Sequence, residues 1–288
     1  MLSKVKYPVI AQPKIDGVRG LNIESQLFGR SLKRFANINV NARFDSPIYS
    51  WMDSELYAGN DIFADDLCRR TTSVMTTIQG SSDVSRVVFD LCFPEWRDKK
   101  YIYRLEQMEK FIKEHAPMFV NCTEWRLIDN EDDLLAYDIE NLDRGAEGTI
   151  ARDPQGYYKY GRSTVNEGLL LRIKQYTDEE GIIRHLYEAE TNLNEAQTNE
   201  LGLTYRTSHK ANKVGNGRIA SMDIELISTG EIVRASAGKL THAESEYYFK
   251  NQCEFLGKIA KIKHFAKGAK DTTRHCTFQG LRDPVDMS

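Results

Sequence analysis

Apolar residues in the first sixty positions come in short runs such as "YPVIAQPK" and "GVRGLNIE", broken by glycine and polar turns, and this predicts short strands. "SRVVFDLCF" (85–93) is a denser apolar run of β type and predicts a buried strand. The period then changes. "YIYRLEQMEKFIKEHAP" has helical spacing and ends at a proline, and "DDLLAYDIENLD" predicts a second helix stopped by "RGAEG". "GTIARDP" and "GLLLRIKQY" return to strand patterns, and "YTDEEG" reads as a polar linker. Beyond it, "GIIRHLYEAE", "GRIASMDIELI", "EIVRASAG" and "GKIAKIKHFA" predict strands, with "THAESEYYFKNQ" as a helical insertion. No repeat or low-complexity tract interrupts this order. The expected organisation is α+β, with a domain of sheets and helices over residues 1–176 and a β-rich domain with one helix over residues 177–288.

Composition narrows the classes. The chain has 288 residues, 41% hydrophobic and 28% charged, with a net charge of −3. These values suit an ordinary globular protein, and neither half is basic overall. No apolar run approaches the roughly 20 residues of a membrane span. The start "MLSKVKYPVIAQPK" lacks the apolar block of a signal peptide, so a cytoplasmic location is expected. The cysteines Cys68, Cys92, Cys122, Cys253 and Cys276 are odd in number and contain no Cys-x-x-Cys pair, which predicts free thiols and no zinc ribbon. Charge is informative only locally. Leu201–Met222 carries Arg206, Lys210, Lys213 and Arg218 with no acid, and Lys258–Arg274 is also basic. Such stretches are either solvated loops or phosphate-facing surfaces. His209, inside the first, reads as a polar loop residue.

The candidate chemistry begins at "KIDGVR" (14–19). Lys14 follows an apolar strand pattern and precedes Asp16, Gly17 and Arg19. A lysine amine becomes a nucleophile once it loses its proton, and a nearby cation or metal favours that loss. Arg19 could supply the cation and grip a phosphate.

Further motifs follow in order. "GRS" (29–31) brings Arg30, "DSEL" (53–56) brings Asp53 and Glu55, and "VVFDL" (87–91) brings Phe89. "EGTIA" (147–151) brings Glu147 and Ile150, and "LLRIK" (170–174) brings Arg172 and Lys174. With these motifs the chain resembles the covalent nucleotidyltransferases, the superfamily of polynucleotide ligases and mRNA capping enzymes. Within it the likeness is to small ATP-dependent DNA ligases of bacteriophage type. The resemblance implies a nucleotidyltransferase (adenylation) domain of antiparallel sheets and helices, followed by a C-terminal OB-fold barrel. It implies ATP and Mg²⁺, with Lys14 as the nucleophile that forms a lysyl–AMP and Asp16 orienting the pocket around it. Glu55 would bind the ribose hydroxyls, and Phe89 and Ile150 would cover the two faces of adenine. Arg19, Arg30 and Lys174 would contact phosphates of ATP and later of the nick. Arg172 stands where the family usually has lysine, which makes Lys174 the stronger phosphate ligand. Glu147 and Asp53 would face the metal. Asp90 reads as a turn cap.

In the second domain, "RTSHKANKVGNGRIASMDIEL" resembles the basic loop of phage-type ligases, so Arg206, Lys210 and Lys213 are expected to contact DNA. The tail "RHCTFQGLRDPVD" resembles the last ligase motif, with Arg282 expected to orient the β- and γ-phosphates. Pro284-Val285 replace its usual final basic residue. The implied activity is sealing of nicks in duplex DNA by a monomer, through three phosphoryl transfers. An RNA ligase, a capping-type guanylyltransferase and a catalytically silent end-binding protein remain as alternatives. An NAD-dependent ligase is disfavoured, because only 13 residues precede Lys14 and no cysteine zinc module is present.

Overall fold

Strand β1 (Val9–Pro13) is buried along its whole length, because both of its faces are covered. It is followed by β2 (Val18–Ile23), β3 (Gln26–Gly29), α1 (Ile38–Phe44), β4 (Met52–Ala58), α2 (Leu67–Thr76), β5 (Val84–Leu91) and α3 (Tyr101–His115). Then come β6 (Val120–Cys122), β7 (Arg126–Ile128), α4 (Glu131–Asp143), β8 (Thr149–Arg152) and β9 (Leu170–Ile173). The computed structural model describes residues 4–173, 176–265 and 274–283, and the chain divides into two compact units, Met1–Lys174 and Gln175–Ser288.

The first unit holds two sheets, in orders β7-β1-β8-β9 and β3-β2-β4-β5-β6. Alternation along β1 explains its double burial. Val9 and Ala11 join Ala151, Leu171 and Ile173 beneath Leu134 and Tyr137 of α4. Ile10 points the other way, into a core with Leu56, Val88, Leu105 and Met108. The helices carry explicit end signals. Asn130 caps α4 by accepting a hydrogen bond from the Asp133 N–H, and three acids occupy its first turn, where the helix dipole favours them. α3 ends at Ala116 in a left-handed conformation just before Pro117.

α1 departs from the short strands expected over residues 1–60, and α2 fills a stretch for which the pattern predicted no element. α1 exists because Asn37 caps it, accepting from the Asn39 and Val40 N–H groups while donating to the carbonyls of Val74 and Ser81. α2 buries the stripe Leu67, Thr71 and Met75, in which the middle position is polar.

The second unit begins with β10 (Thr177–Asn192), then β11 (Ala196–Thr198), β12 (Thr204–Arg206), β13 (Lys213–Leu226), β14 (Ile232–Ser236), α5 (His242–Lys250), β15 (Ile259–Phe265) and β16 (Arg274–Arg282). Five strands close in the order β10-β13-β14-β16-β15 around Ile183, Met222, Ile224, Ala260, Ile262 and Phe278. A full capping box, Thr241 with Glu244, starts α5, and Ser245 ties this helix to Ile219 of β13.

The expected linker "YTDEEG" is corrected here. Thr177–Ile182 pair in register with Ile259–His264, so this stretch is ladder, not tether. Its acids are accommodated because each meets a basic residue on β15 or β16. Asp178 pairs with Lys261 at 2.6 Å, Glu179 with His264 at 3.0 Å and Glu180 with Arg282 at 2.9 Å. The acid-free stretch is also more ordered than a loop, since β12 pairs with β11 in an exposed hairpin.

Candidate active site

Lys14 sits one residue beyond β1 and extends its ladder. Its N–H donates to the Gly148 carbonyl at 2.9 Å, and its carbonyl accepts from the Glu147 N–H at 2.9 Å. These bonds bring two distant motifs into register, and the Lys14 ammonium forms an ion pair with the Glu147 carboxylate. Both side chains are mostly withdrawn from solvent. The glycines beside them are steric necessities. A Cβ on Gly148, at φ +133°, would lie 2.5 Å from the Ile173 carbonyl oxygen. A Cβ on Gly17 would lie 2.3 Å from the Leu56 carbonyl oxygen and 2.8 Å from Glu55 Cγ. Glycine after Asp16 therefore lets β4 approach the lysine loop.

Arg19 on β2 stands opposite Glu55 on β4 in the strand register, yet its guanidinium turns to Asp53. The contact is bidentate, Nε to Oδ1 at 2.8 Å and Nη2 to Oδ2 at 2.6 Å. The Tyr158 hydroxyl donates to Asp53 Oδ2 at 2.8 Å and accepts from Arg19 Nη2 at 3.3 Å. Burial disfavours the Arg19 charge, but Asp53 outweighs it and holds the arginine well above its ordinary pKa. Asp53, expected to face a metal, is engaged with Arg19 and Tyr158 in this structure. Its carboxylate is 2% exposed and both oxygens already accept hydrogen bonds. Among the described residues, no group of three or more His, Cys, Asp or Glu side chains is arranged to hold a metal ion.

Glu55 lies on β4 opposite Arg19. Burial pushes its carboxyl up to about 7, with Lys14 and Arg19 pulling down and Asp53 and Asp16 pushing up. Asp16 itself is half-buried in the loop between β1 and β2.

Phe89 occupies a β-bulge. Asp53 pairs with Asp90 and Ser54 pairs with Val88, so Phe89 has no partner across the ladder and its half-buried ring is re-aimed. Asp90 is not a turn cap. It is fully buried in β5 and accepts from Arg104 at 2.8 and 3.1 Å and from Arg152. Ile150 stands in one row with Gln12 and Arg172 across β1, β8 and β9.

The remaining expected residues are more dispersed. Arg30 is exposed just past β3, and Arg172 is exposed on β9. Lys174 lies outside the described residues. Arg282, expected to orient the β- and γ-phosphates, is a strand residue of β16, opposite Ile259 and ion-paired with Glu180. In the hairpin region, the Arg206 guanidinium donates to the Asn194 carbonyl, Lys213 lies 3.8 Å from Glu190, and Lys210 is exposed.

The structure adds residues that the motifs did not mark: Tyr158, Gln12, Tyr101, Arg104 and Arg152. Gln12 and Arg152 carried a usable signal. Each lies two positions from a marked residue on a strand, Lys14 and Ile150 respectively. For Tyr101, Arg104 and Tyr158 no local signal exists.

No family model matches the chain. A DNA ligase of African swine fever virus is 23% identical over 184 residues, covering 60% of this chain and 43% of the viral protein. The chain thus spans less than half the length of the curated relatives it matches. The solved Chlorella virus DNA ligase-adenylate is 25% identical, with a TM-score of 0.54 over 98% of this chain and 96% of that one. A Lig E DNA ligase is 15% identical with a TM-score of 0.69, covering 96% and 93%. In its fold, and more distantly in its sequence, the chain resembles DNA ligases.

Proposed function

We propose that the chain is an ATP-dependent DNA ligase that seals 3′-hydroxyl/5′-phosphate nicks in duplex DNA. The observation that carries this reading is the placement of Lys14. Backbone bonds on both sides fix it, Glu147 holds its ammonium, and Glu55, Asp16 and the Arg19–Asp53 pair surround it. In the first step the deprotonated Lys14 Nζ attacks the α-phosphorus of ATP, a P–N bond forms, and the bond to pyrophosphate breaks. Attack requires that the ion pair with Glu147 first opens, because the pair favours the protonated amine. AMP then passes to the nick 5′-phosphate, and the 3′-hydroxyl displaces it.

Glu55 is suited to the ribose hydroxyls, and Phe89 with Ile150 to the faces of adenine. The unoccupied Nη1 of Arg19, together with Arg30, Arg172 and Lys174, supplies phosphate contacts. A hard cation that keeps its waters and takes one carboxylate plus phosphate oxygens suits this donor set better than an all-protein cage. Glu147 would hold such a Mg²⁺, whose contribution is neutralising the triphosphate charge. Residues 1–176 serve in this reading as the adenylation domain, and residues 177–288 as an OB-fold domain that grips DNA through Lys210, Lys213 and Arg206. The closed five-stranded ring supports the OB reading. In this reading the protein acts as a monomer in the cytoplasm.

The test is incubation with α-labelled ATP, GTP or NAD, followed by nicked DNA or RNA duplexes. Label from ATP alone and sealing of nicked DNA are expected. Lys14→Ala should remain folded and take no label, and a labelled mutant would remove the lysine from its role.

A further inference from the structure

Phe89 is placed by a device of its own. A bulged residue has no ladder partner to hold it, yet the Phe89 carbonyl accepts two side-chain hydrogen bonds, from the Tyr101 hydroxyl at 2.9 Å and from Arg152 Nη1 at 3.2 Å. Each donor is itself held. The Tyr101 hydroxyl accepts from Gln12 Nε2 at 2.6 Å, and the Arg152 guanidinium lies 3.6 Å above the Tyr101 ring. The second arm of Arg152 binds Asp90, the residue after Phe89, which Arg104 grips from α3. Tyr101, Asp90 and Arg104 are all but inaccessible to solvent. Burial also pushes the Tyr101 phenol up to about 12, so it keeps its proton and donates at neutral pH.

The strands show what this network joins. Arg152 lies two residues beyond Ile150 on β8, so the two side chains share a face. Gln12 lies opposite Ile150 and two residues before Lys14 on the same chain segment. The network therefore ties the bulge of one sheet to the two strands of the other that present Ile150 and Lys14.

We propose that Tyr101 and Arg152 are positioning residues that clamp the Phe89 carbonyl and thereby set the aromatic wall of the nucleotide pocket against the strand bearing Ile150. This rests on the reading above, in which adenine lies between Phe89 and Ile150. A planar base makes full contact only when each wall stands about 3.5–4 Å from it. A bulge free to shift by an ångström would forfeit much of that contact. Buried donors from a helix and from a strand of the facing sheet remove that freedom.

Three variants of the full chain test the clamp. Tyr101→Phe removes both hydroxyl bonds with little change in volume. Arg152→Lys keeps the charge beside Asp90 but loses the forked pair of donors. Tyr49→Phe is the control, because its hydroxyl bonds the Met118 carbonyl at 3.1 Å and no member of the network. The readouts are the ATP dependence of Lys14 adenylylation and the thermal midpoint of each protein. Tyr101→Phe and Arg152→Lys should raise KM for ATP about tenfold, the worth of roughly one net hydrogen bond, with a smaller change in maximal rate. Tyr49→Phe should leave KM unchanged whatever its midpoint. Should Arg152→Lys fail to fold, Tyr101→Phe decides alone. A wild-type KM in the clamp variants, or an equal rise in Tyr49→Phe, overturns the proposal. A wild-type chain that takes no label from ATP would instead overturn the adenylylation reading, and the clamp with it.

Discussion

The two units bury different kinds of residue. Among the described residues, the first buries Asp53, Arg86, Asp90, Arg104, Asp138 and Arg152, whereas the buried polar residues of the second are only Asn194, Ser245 and His264. A buried charge is tolerated when its partners are complete, as they are for Asp53 and Asp90. Arg86 shows how far this goes. It is fully buried and hydrogen-bonds Ser54, Asn22 and the Met52 carbonyl, and burial lowers its pKa to about 10. The second unit instead closes around apolar side chains and leaves its charges on the strand surfaces and the β11–β12 hairpin. In the proposed function, the first unit would hold a reactive lysine and a polyanion and so needs oriented charge away from water, where fields are strong. The second would track a phosphate backbone and so needs cations in water, where they can exchange counterions.

This contrast makes measurable claims. The largest concerns Asp90→Ala, which leaves Arg104 and Arg152 buried without their shared anion. A loss of about 3–5 kcal/mol in chemical denaturation is expected. A loss within the range of an exposed ion pair, below about 1 kcal/mol, would show that the first unit does not depend on its buried charges.

In the barrel, Ile262→Ala should cost about 2–5 kcal/mol through lost burial and the cavity left behind. Because no charge is involved, that loss should be the same at low and high salt. A strong salt dependence would contradict a plain apolar core.

Glu55 is the next in size. Its carboxyl titrates near 7 when folded instead of at the ordinary 4.5, so between those values the folded chain binds a proton that the unfolded chain releases. Stability therefore falls as pH rises through that window, and the full penalty stands above pH 7. Glu55→Gln should be more stable than wild type at pH 8, by at most about 3 kcal/mol, with the advantage gone near pH 4. Thermal unfolding across pH measures it, and a pH-independent difference would mean that Glu55 is not desolvated.

The smallest effects belong to the hairpin region. Replacing Arg206, Lys210 and Lys213 by alanine should weaken binding of nicked DNA and flatten its salt dependence by about 0.9 per lost phosphate contact. Arg206 already donates to Asn194 and Lys213 lies near Glu190, so Lys210→Ala alone should account for the largest single share. An unchanged slope would leave these residues as a solvated surface.

Local patterns carried α3 and α4, because their apolar spacing, proline and glycine stops and capping residues all act within a few positions. They also carried the strands around Lys14, Val87 and Leu171. The pattern hid α1 and α2. One is seven residues long and held by a cap that reaches to Val74 and Ser81, and the other has threonine in its buried stripe. "YTDEEG" looked like a linker because its acids gave no hint of Lys261, His264 and Arg282 on strands still to come.

The same limit divides the candidate site. The ordered motifs, through the family resemblance they carry, marked Lys14, Glu55, Phe89 and Glu147, since nucleophile, acid and aromatic ring are properties of single side chains. Which carboxylate meets which cation is a property of distance, and distance was settled by the register of strands far apart in sequence. Asp53 went to Arg19 and Tyr158, and Asp90 to Arg104 and Arg152, because β2 lies against β4, β5 beneath α3, and Arg152 of β8 reaches across to β5. A desolvated charge takes the nearest complete set of partners. No spacing along the chain encodes that set, because it exists only once the two sheets have packed.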